Sequence, residues 1–241
     1  MKHIFVYLNP SKSFNEVSEA LFKIQIDNLS LLGINPADII LATNFPYEYK
    51  GVKATIFGDH NIMKNSSTAC KAAVLYEMFR DGMIEKDIYW MKDLDTFQVR
   101  PVSNEEIGLD EFEVGLTTYG WIIDGKEKWN TGSLFVTNKC GPFADAMFGS
   151  VLYYRMDEET GISNYIRDRA KDGKIWNIKI KKLSRAYNVG FRGVEWDIES
   201  VKVPLAALHF PMNRDFFNRM RRYMNKELPE IITAHLPHIM S

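Results

Sequence analysis

Four short apolar runs punctuate the first hundred residues, at His3–Leu8, Asp38–Thr43, Val52–Phe57 and Asp87–Met91. Between them lie helix-length or loop segments, a pattern that restricts the chain to a parallel sheet with crossover connections. Asn9-Pro10 breaks the first run. Ser13 followed by Glu16 reads as a capping box, opening a helix with Val17, Leu21 and Ile24 on one face. Gly33 stands where a helix C-cap glycine belongs. A second helix is expected from Thr68 to Asp81, with Ala72, Leu75, Tyr76 and Phe79 as its buried stripe and Gly82 as its end. The fourth run leads straight into Lys92-Asp93-Leu94-Asp95. In open α/β sheets ligands sit beyond the carboxyl ends of the strands, so this carboxylate pair falls where binding residues belong.

The second half is less regular. Strands are expected at Glu113–Tyr119 and Leu134–Val136, and helices at Pro142–Tyr153 and Glu158–Ala170. Short strands follow around Trp176–Ile180 and Leu205–Phe210, then a basic helix from Arg214 to Tyr223. No repeat or linker divides the chain, and 241 residues with 46% hydrophobic content suit one large α/β domain. A formal net charge of −1 with that apolar content excludes global disorder and a uniformly basic nucleic-acid coat. No apolar run approaches the ~20 residues of a membrane span. The first run is also too short for a signal-peptide core. Cys70 and Cys140 have neither metal-ligand nor redox spacing, which points to two reduced core cysteines in a cytoplasmic protein. The segment after the first strand, Leu8-Asn9-Pro10-Ser11-Lys12-Ser13, contains no glycine, so phosphate-loop and dinucleotide readings lose their main support.

Four constellations carry chemistry. Asp93-x-Asp95 can hold one hard divalent cation that bridges a substrate diphosphate, or be a solvated acidic turn; its place after a hydrophobic strand favours the cation. His209, inside the apolar run Ala206–Phe210, is either a hydrogen-bonded core residue or an imidazole ligand completing that site. Trp129-Asn130-Thr131-Gly132-Ser133 is a plain turn or a small polar surface that a sugar ring can approach closely. Asp157-Glu158-Glu159 at a helix start complements the helix dipole, accepts from sugar hydroxyls or assists an acceptor hydroxyl.

Taken in order over nearly the whole chain, these stretches resemble GT-A-fold glycosyltransferases, in particular small ones from phages and large viruses, with motif parallels to glycogenin-like enzymes. The resemblance is carried by Asn9 after the first strand, Gln25-Ile26-Asp27-Asn28 to Gly33, and Asp38–Thr43 continuing into Asn44-Phe45-Pro46-Tyr47-Glu48-Tyr49. It continues through Asp93-Leu94-Asp95-Thr96-Phe97-Gln98, Trp129–Ser133, Asp157-Glu158-Glu159, Tyr187-Asn188 and His209. It implies a single Rossmann-like domain with a mixed, mostly parallel central sheet and an irregular acceptor-side C-terminal half. Residues 1–98 would form the nucleotide-binding half and residues 99–241 the donor-sugar and acceptor half. It implies transfer of a sugar from a nucleotide donor, UDP-linked, to a hydroxyl, with Mn²⁺ or Mg²⁺ as cofactor. Asp93, Asp95 and His209 would ligate the metal, Asp93 also lying near the ribose. Asn9 and Thr43 would hold base and ribose, Lys71 the diphosphate or sugar, Asn130 and Thr131 the donor sugar. Asp157 and Glu158 would be the catalytic pair at the donor–acceptor junction. The glycogenin-like group follows its histidine with a glycine and a Lys-Pro pair. Here Phe210-Pro211-Met212-Asn213 follows instead, leaving Arg214 as a substitute for the diphosphate lysine and the stereochemical outcome open.

Charge is unevenly spread. Glu85–Glu159 carries 15 acidic and 7 basic residues, whereas Asn164–Arg192 carries 9 basic and 2 acidic. With Arg219, Arg221 and Arg222, segment 164–192 could grip a phosphate backbone, and the acceptor would then be a hydroxymethylated DNA base; a glycan, or a solvated basic face, is the other reading. Two other functions compete: a non-catalytic carbohydrate- or nucleic-acid-binding module on the same fold, and a nucleotidyltransferase. The latter would want a basic triphosphate loop near the N-terminus, where only Lys12 stands.

Overall fold

The computed structural model describes residues 1–62, 69–123, 126–154, 159–163, 178–190, 203–209 and 213–239; side chains of 120–127 and 154 are left aside. The N-terminal strands are β1 (Lys2–Tyr7), β2 (Ile39–Thr43), β3 (Glu48–Tyr49), β4 (Val52–Ile56), β5 (Tyr89–Lys92) and β6 (Thr96–Gln98). They are followed by β7 (Val114–Ile123), β8 (Lys126–Val136), β9 (Ile180–Lys182) and β10 (Ala207–His209). The helices are α1 (Glu16–Leu31), α2 (Cys70–Arg80), α3 (Asn104–Ile107), α4 (Gly141–Tyr154), α5 (Arg214–Met220) and α6 (Leu228–His235), with a further helical turn at 159–163.

Eight strands form one sheet in the order β3-β4-β2-β1-β5-β8-β7-β9, and β6 and β10 form a separate antiparallel ribbon. The pairs β4-β2, β2-β1 and β1-β5 are parallel, as the alternating apolar runs and crossovers require; β5-β8 and β8-β7 are antiparallel. The expected mixed α/β sheet is therefore present. Side-chain alternation along β1 sends Ile4 into a cluster with Leu75 and Met78 of α2 and Phe143 and Met147 of α4. Its neighbour Phe5 enters another cluster with Phe22, Ile26 and Leu29 of α1. The sheet is thus covered on both faces, which explains why its central strands read as continuous apolar runs.

Several local expectations are corrected. α1 begins at Glu16 and is capped by Asn15, whose side chain accepts from Ser18 N–H, so Ser13 and Glu16 form no capping box. Val17 is exposed while Leu21 and Ile24 are buried. Gly33 does close α1, at φ +81°, with Ile34 N–H reaching back to Leu29 O. In α2 the buried face is carried by Ala72, Val74, Leu75 and Met78, with Tyr76 and Phe79 only half-buried. Strands β7 and β8 are longer than the apolar runs predicted, because polar residues such as Thr117, Asn130 and Thr131 continue the pairing into the site. The expected helix Glu158–Ala170 is described only over 159–163, and Trp176 and Phe210 lie outside the described residues.

Lys92 is a buried ammonium in this core. It is 2% exposed, with its ammonium 4.5 Å from the Trp90 ring centroid and one hydrogen bond to Gln98 Oε1 at 3.2 Å. Burial pulls its pKa down from the ordinary 10.5 to about 7. Between those values the unfolded chain binds the proton and the folded chain does not, so stability rises with pH across that window. Lys92→Met keeps the length and removes the charge. It is expected to be a few kcal/mol more stable than wild type near neutral pH, with the gap closing by roughly 1.4 kcal/mol per pH unit up to about pH 10. Urea denaturation of both proteins across that range measures this, and a pH-independent gap would show that Lys92 keeps its proton in the fold.

Candidate functional site

The site lies where β1 and β5 end side by side. A cleft of about 370 Å³ is lined by Val6, Tyr7 and Leu8 of the first strand end, Lys71 of α2, Met91 to Asp95 and His209. Asp93 leaves β5 directly, and its N–H bonds Gly132 O on β8 (2.9 Å). The chain then turns, with Thr96 N–H on Asp93 O (3.0 Å), and enters β6. There Thr96 pairs in register with His209 of β10. This short reversal brings residues 93, 95 and 209 together despite their separation in sequence.

One ligand atom from each of Asp93, Asp95 and His209 lies within 4.8 Å of the others, a spacing one metal ion can bridge. His209 Nε2 is 3.3 Å from Asp95 Oδ1 and 3.9 Å from Asp93 Oδ2. Burial disfavours the protonated His209, but the carboxylates of Asp95 and Asp93 outweigh it and hold its pKa above the ordinary imidazole value. Burial likewise pushes Asp95 up, and the bond to His209 more than reverses this, leaving the carboxyl below its usual range. Two carboxylates and one imidazole suit Mn²⁺, and the carboxylates alone suit Mg²⁺. The surroundings fit such an ion: a Cβ built on Gly132 would overlap the His209 ring and come 3.1 Å from Asp93 Oδ2. Glycine is what leaves these two side chains room to converge.

Lys71 is 5% exposed and donates from Nζ to Asp93 Oδ1 (2.8 Å) and Thr131 O (3.0 Å), tying α2 to both β5 and β8. Asn130 and Thr131, expected in a turn, lie within β8 beside a register shift opposite Leu116/Thr117. Both are 1% exposed; Asn130 Oδ1 accepts from Gly132 N–H (2.9 Å). Thr131 N–H donates to Glu159 Oε1 (3.0 Å). Glu159 also accepts from Tyr119 Oη (2.9 Å), and its Oε2 lies 3.5 Å from Lys128 Nζ. Burial raises the Glu159 carboxyl above its ordinary range against these partners.

Tyr119 is the residue that sequence reasoning passed over. Glu159 stood in the acidic triplet as one of three candidates, and its bonds to Thr131 and Tyr119 now tie it to β8 and β7; Asp157 and Glu158 lie outside the described residues. Tyr119 had no signal beyond its place at the end of an apolar run. At the nucleotide end, Asn9 organises its own loop, donating from Nδ2 to Tyr7 Oη (3.1 Å) and Ser13 O (2.9 Å). Thr43 is fully buried and donates to Phe45 O, and neither residue is among those lining the cleft. Arg219, Arg221 and Arg222 are exposed on α5 and the turn after it, Arg219 over the Phe216 ring and Arg222 over Tyr223. They do not line the cleft, and residues 164–177 and 191–192 of the basic segment lie outside the described residues. No helix among the described residues is long and apolar enough to cross a membrane.

No protein-family model matches the chain, and no curated protein sequence matches it significantly. Solved structures do match. A glycosyltransferase involved in the glycosylation of the major capsid of PBCV-1 superposes with a TM-score of 0.54 at 10% identity, over 87% of this chain and 93% of that one. The galactosyltransferase LgtC, solved in complex with donor and acceptor sugar analogs, gives 0.54 at 12% identity over 97% and 96%. The glycosyltransferase GlyE of Streptococcus pneumoniae TIGR4 gives 0.55 at 14% identity, covering 98% of this chain and 63% of that one. At such identities the likeness is one of fold, and the fold is the GT-A type expected from the sequence.

Proposed function

We propose that the protein is a metal-dependent glycosyltransferase that moves a sugar from a nucleoside diphosphate donor, UDP-linked, to an acceptor hydroxyl. The observation that carries this reading is the convergence of Asp93, Asp95 and His209 beside a cleft at the carboxyl ends of β1 and β5. It sits on a fold shared with solved glycosyltransferases, one of them holding donor and acceptor sugar analogs. Asp93, Asp95 and His209 would hold Mn²⁺ or Mg²⁺, which when bound neutralises charge on the departing diphosphate. Residues 1–98 would supply the nucleotide end, with Asn9 and Thr43 shaping it through the strand-end loops. Residues 99–241 would supply the sugar and acceptor side.

Lys71 holds a positive charge between Asp93 and the Thr131 peptide, from which it would meet the diphosphate or the sugar. Asn130 and Thr131 would set the donor sugar through a β8 backbone held at Thr131 by Glu159 on its N–H and by Lys71 on its carbonyl. Asp157 and Glu158, which directly precede Glu159, would act at the donor–acceptor junction.

Calorimetric titration of UDP with and without Mn²⁺ tests the reading. Mn²⁺ is expected to tighten UDP binding by about tenfold or more, since a cation held by these carboxylates would offset the charge of the diphosphate. A panel of UDP-sugars should reveal slow, metal-dependent donor hydrolysis. UDP binding that is absent, or indifferent to Mn²⁺, would sink the proposal; tight binding without hydrolysis of any donor would favour a binding module.

A further inference from the structure

Among the described residues, strand β6 pairs on one side only, with β10. Alternate residues of a strand turn their backbone groups to opposite edges. Val99 N–H bonds Ala206 O on the β10 side, so Thr96 and Gln98 turn their carbonyls the other way, and Leu94, in the turn before the strand, offers its carbonyl to the same helix. Those carbonyls meet side chains of α1. Gln25 Nε2 donates to Leu94 O (2.8 Å) and to Thr96 O (3.0 Å), and Asn28 Nδ2 donates to Gln98 O (2.7 Å). Asn28 Oδ1 accepts in turn from Asn225 Nδ2 (3.0 Å), whose Oδ1 receives the Leu228 N–H at the start of α6.

Gln25 and Asn28 are both 0% exposed, three apart on one helix face whose other buried members include Leu21, Ile24 and Leu29. Burying two amides in an apolar helix face is costly unless their bonds are made, so their presence calls for a reason. The two carbonyls that Gln25 grips bracket Asp95: Leu94 O belongs to the peptide that leads into Asp95, and Thr96 O to the peptide that follows Thr96. Thr96 is also the register partner of His209. An apolar side chain could fill the same space but could not fix the rotation of the 94–95 and 96–97 peptides.

We propose that Gln25 is a positioning residue for the cation site, its amide clamping the 94–95 and 96–97 peptides that bracket Asp95 and thereby setting the spacing of Asp95 and His209. This rests on reading Asp93, Asp95 and His209 as that site. Partners one shell beyond a metal's ligands commonly tune its affinity by such orientation.

The test compares wild type, Gln25→Met, Leu29→Ala and Asp95→Ala. Free Mn²⁺ is measured by electron paramagnetic resonance with UDP present, and hydrogen exchange and melting are followed on the metal-free proteins. Gln25→Met keeps length and burial but removes the donor, whereas Leu29→Ala loosens the packing of α1 with no change in hydrogen bonds to β6. Gln25→Met is expected to weaken Mn²⁺ binding by about tenfold or more and to speed exchange across 94–98. Leu29→Ala should lower Tm yet leave Mn²⁺ affinity within about twofold, because global stability does not set ligand geometry in a folded protein. Should Gln25→Met fail to fold, Gln25→Asn, too short to span both carbonyls, decides by the same comparison. Equal Mn²⁺ affinity in wild type and the Gln25 variant would overturn the inference, as would an equal loss in Leu29→Ala. A wild type that binds no Mn²⁺, or an Asp95→Ala variant that binds it normally, would overturn the cation reading itself and the inference with it.

Discussion

Asp95→Ala is expected to cut metal-dependent donor hydrolysis and transfer by roughly a thousandfold or more, the equivalent of about 4 kcal/mol at the transition state. On the proposed reading the variant removes one of three ligands and one of the two carboxylates that would hold the cation. It also strips His209 of its nearest carboxylate, 3.3 Å away, so the imidazole pKa should fall back toward its ordinary value. The cost to the fold should be small, because the Asp95 side chain is 36% exposed and an ion pair that open to solvent contributes little. Asp95→Asn keeps an oxygen in place without its charge and should fall between wild type and Asp95→Ala. Steady-state kinetics over a Mn²⁺ titration, with melting curves alongside, decide the matter. Activity within about tenfold of wild type would remove Asp95 from the metal-binding role, as that is less than one lost ligand should cost.

Legibility from sequence followed the physics of each element. Strands β1, β2 and β5 were readable because both their faces are largely buried, which turns a strand into an apolar run regardless of tertiary detail, whereas β4 is buried at Val52 and exposed at Lys53 and Ile56. The carboxylate pair was readable for the same reason: position after such a run places it at a strand's carboxyl end. β8 was read short because Asn130, Thr131 and Ser133 are buried by hydrogen bonding, and polar residues satisfied in that way break the hydrophobic pattern. β6 escaped because three residues, Thr96, Phe97 and Gln98, leave no periodicity to count, and its stabilising partners come from α1 rather than from a longer sheet. Asn15 displaced Ser13 as the α1 cap because Asn15 also meets Tyr7 Oη, a tertiary contact that local pattern cannot show. Helix α6 was not anticipated at all. Its apolar residues Leu228 and Ile232, with Leu236 just beyond its end, find their cover on Ala20 and Leu21 of α1, some two hundred residues earlier.

Gly132→Ala should uncouple His209 from the cation site, weakening Mn²⁺ binding on the order of a hundredfold, toward the upper range for lost orientation of a ligand. The backbone itself can accept alanine, since Gly132 is not among the residues with positive φ. The obstacle is steric: the new methyl would overlap the His209 ring and press on Asp93 Oδ2 at 3.1 Å. Gly132 cannot withdraw, because its carbonyl is held by Asp93 N–H (2.9 Å) and Thr96 Oγ1 (3.1 Å), and its N–H by Asn130 Oδ1 (2.9 Å). His209 is half-buried at the cleft and is the group with room to turn. The fold should therefore lose only about 1–3 kcal/mol, the usual cost of modest overpacking. A double-mutant cycle separates clash from ligation: His209→Ala added to Gly132→Ala should restore much of the lost Tm, while Mn²⁺ affinity stays as weak as in either single variant. Mn²⁺ affinity in Gly132→Ala within about threefold of wild type would mean that the ring stays in place, and the account of the glycine would fail.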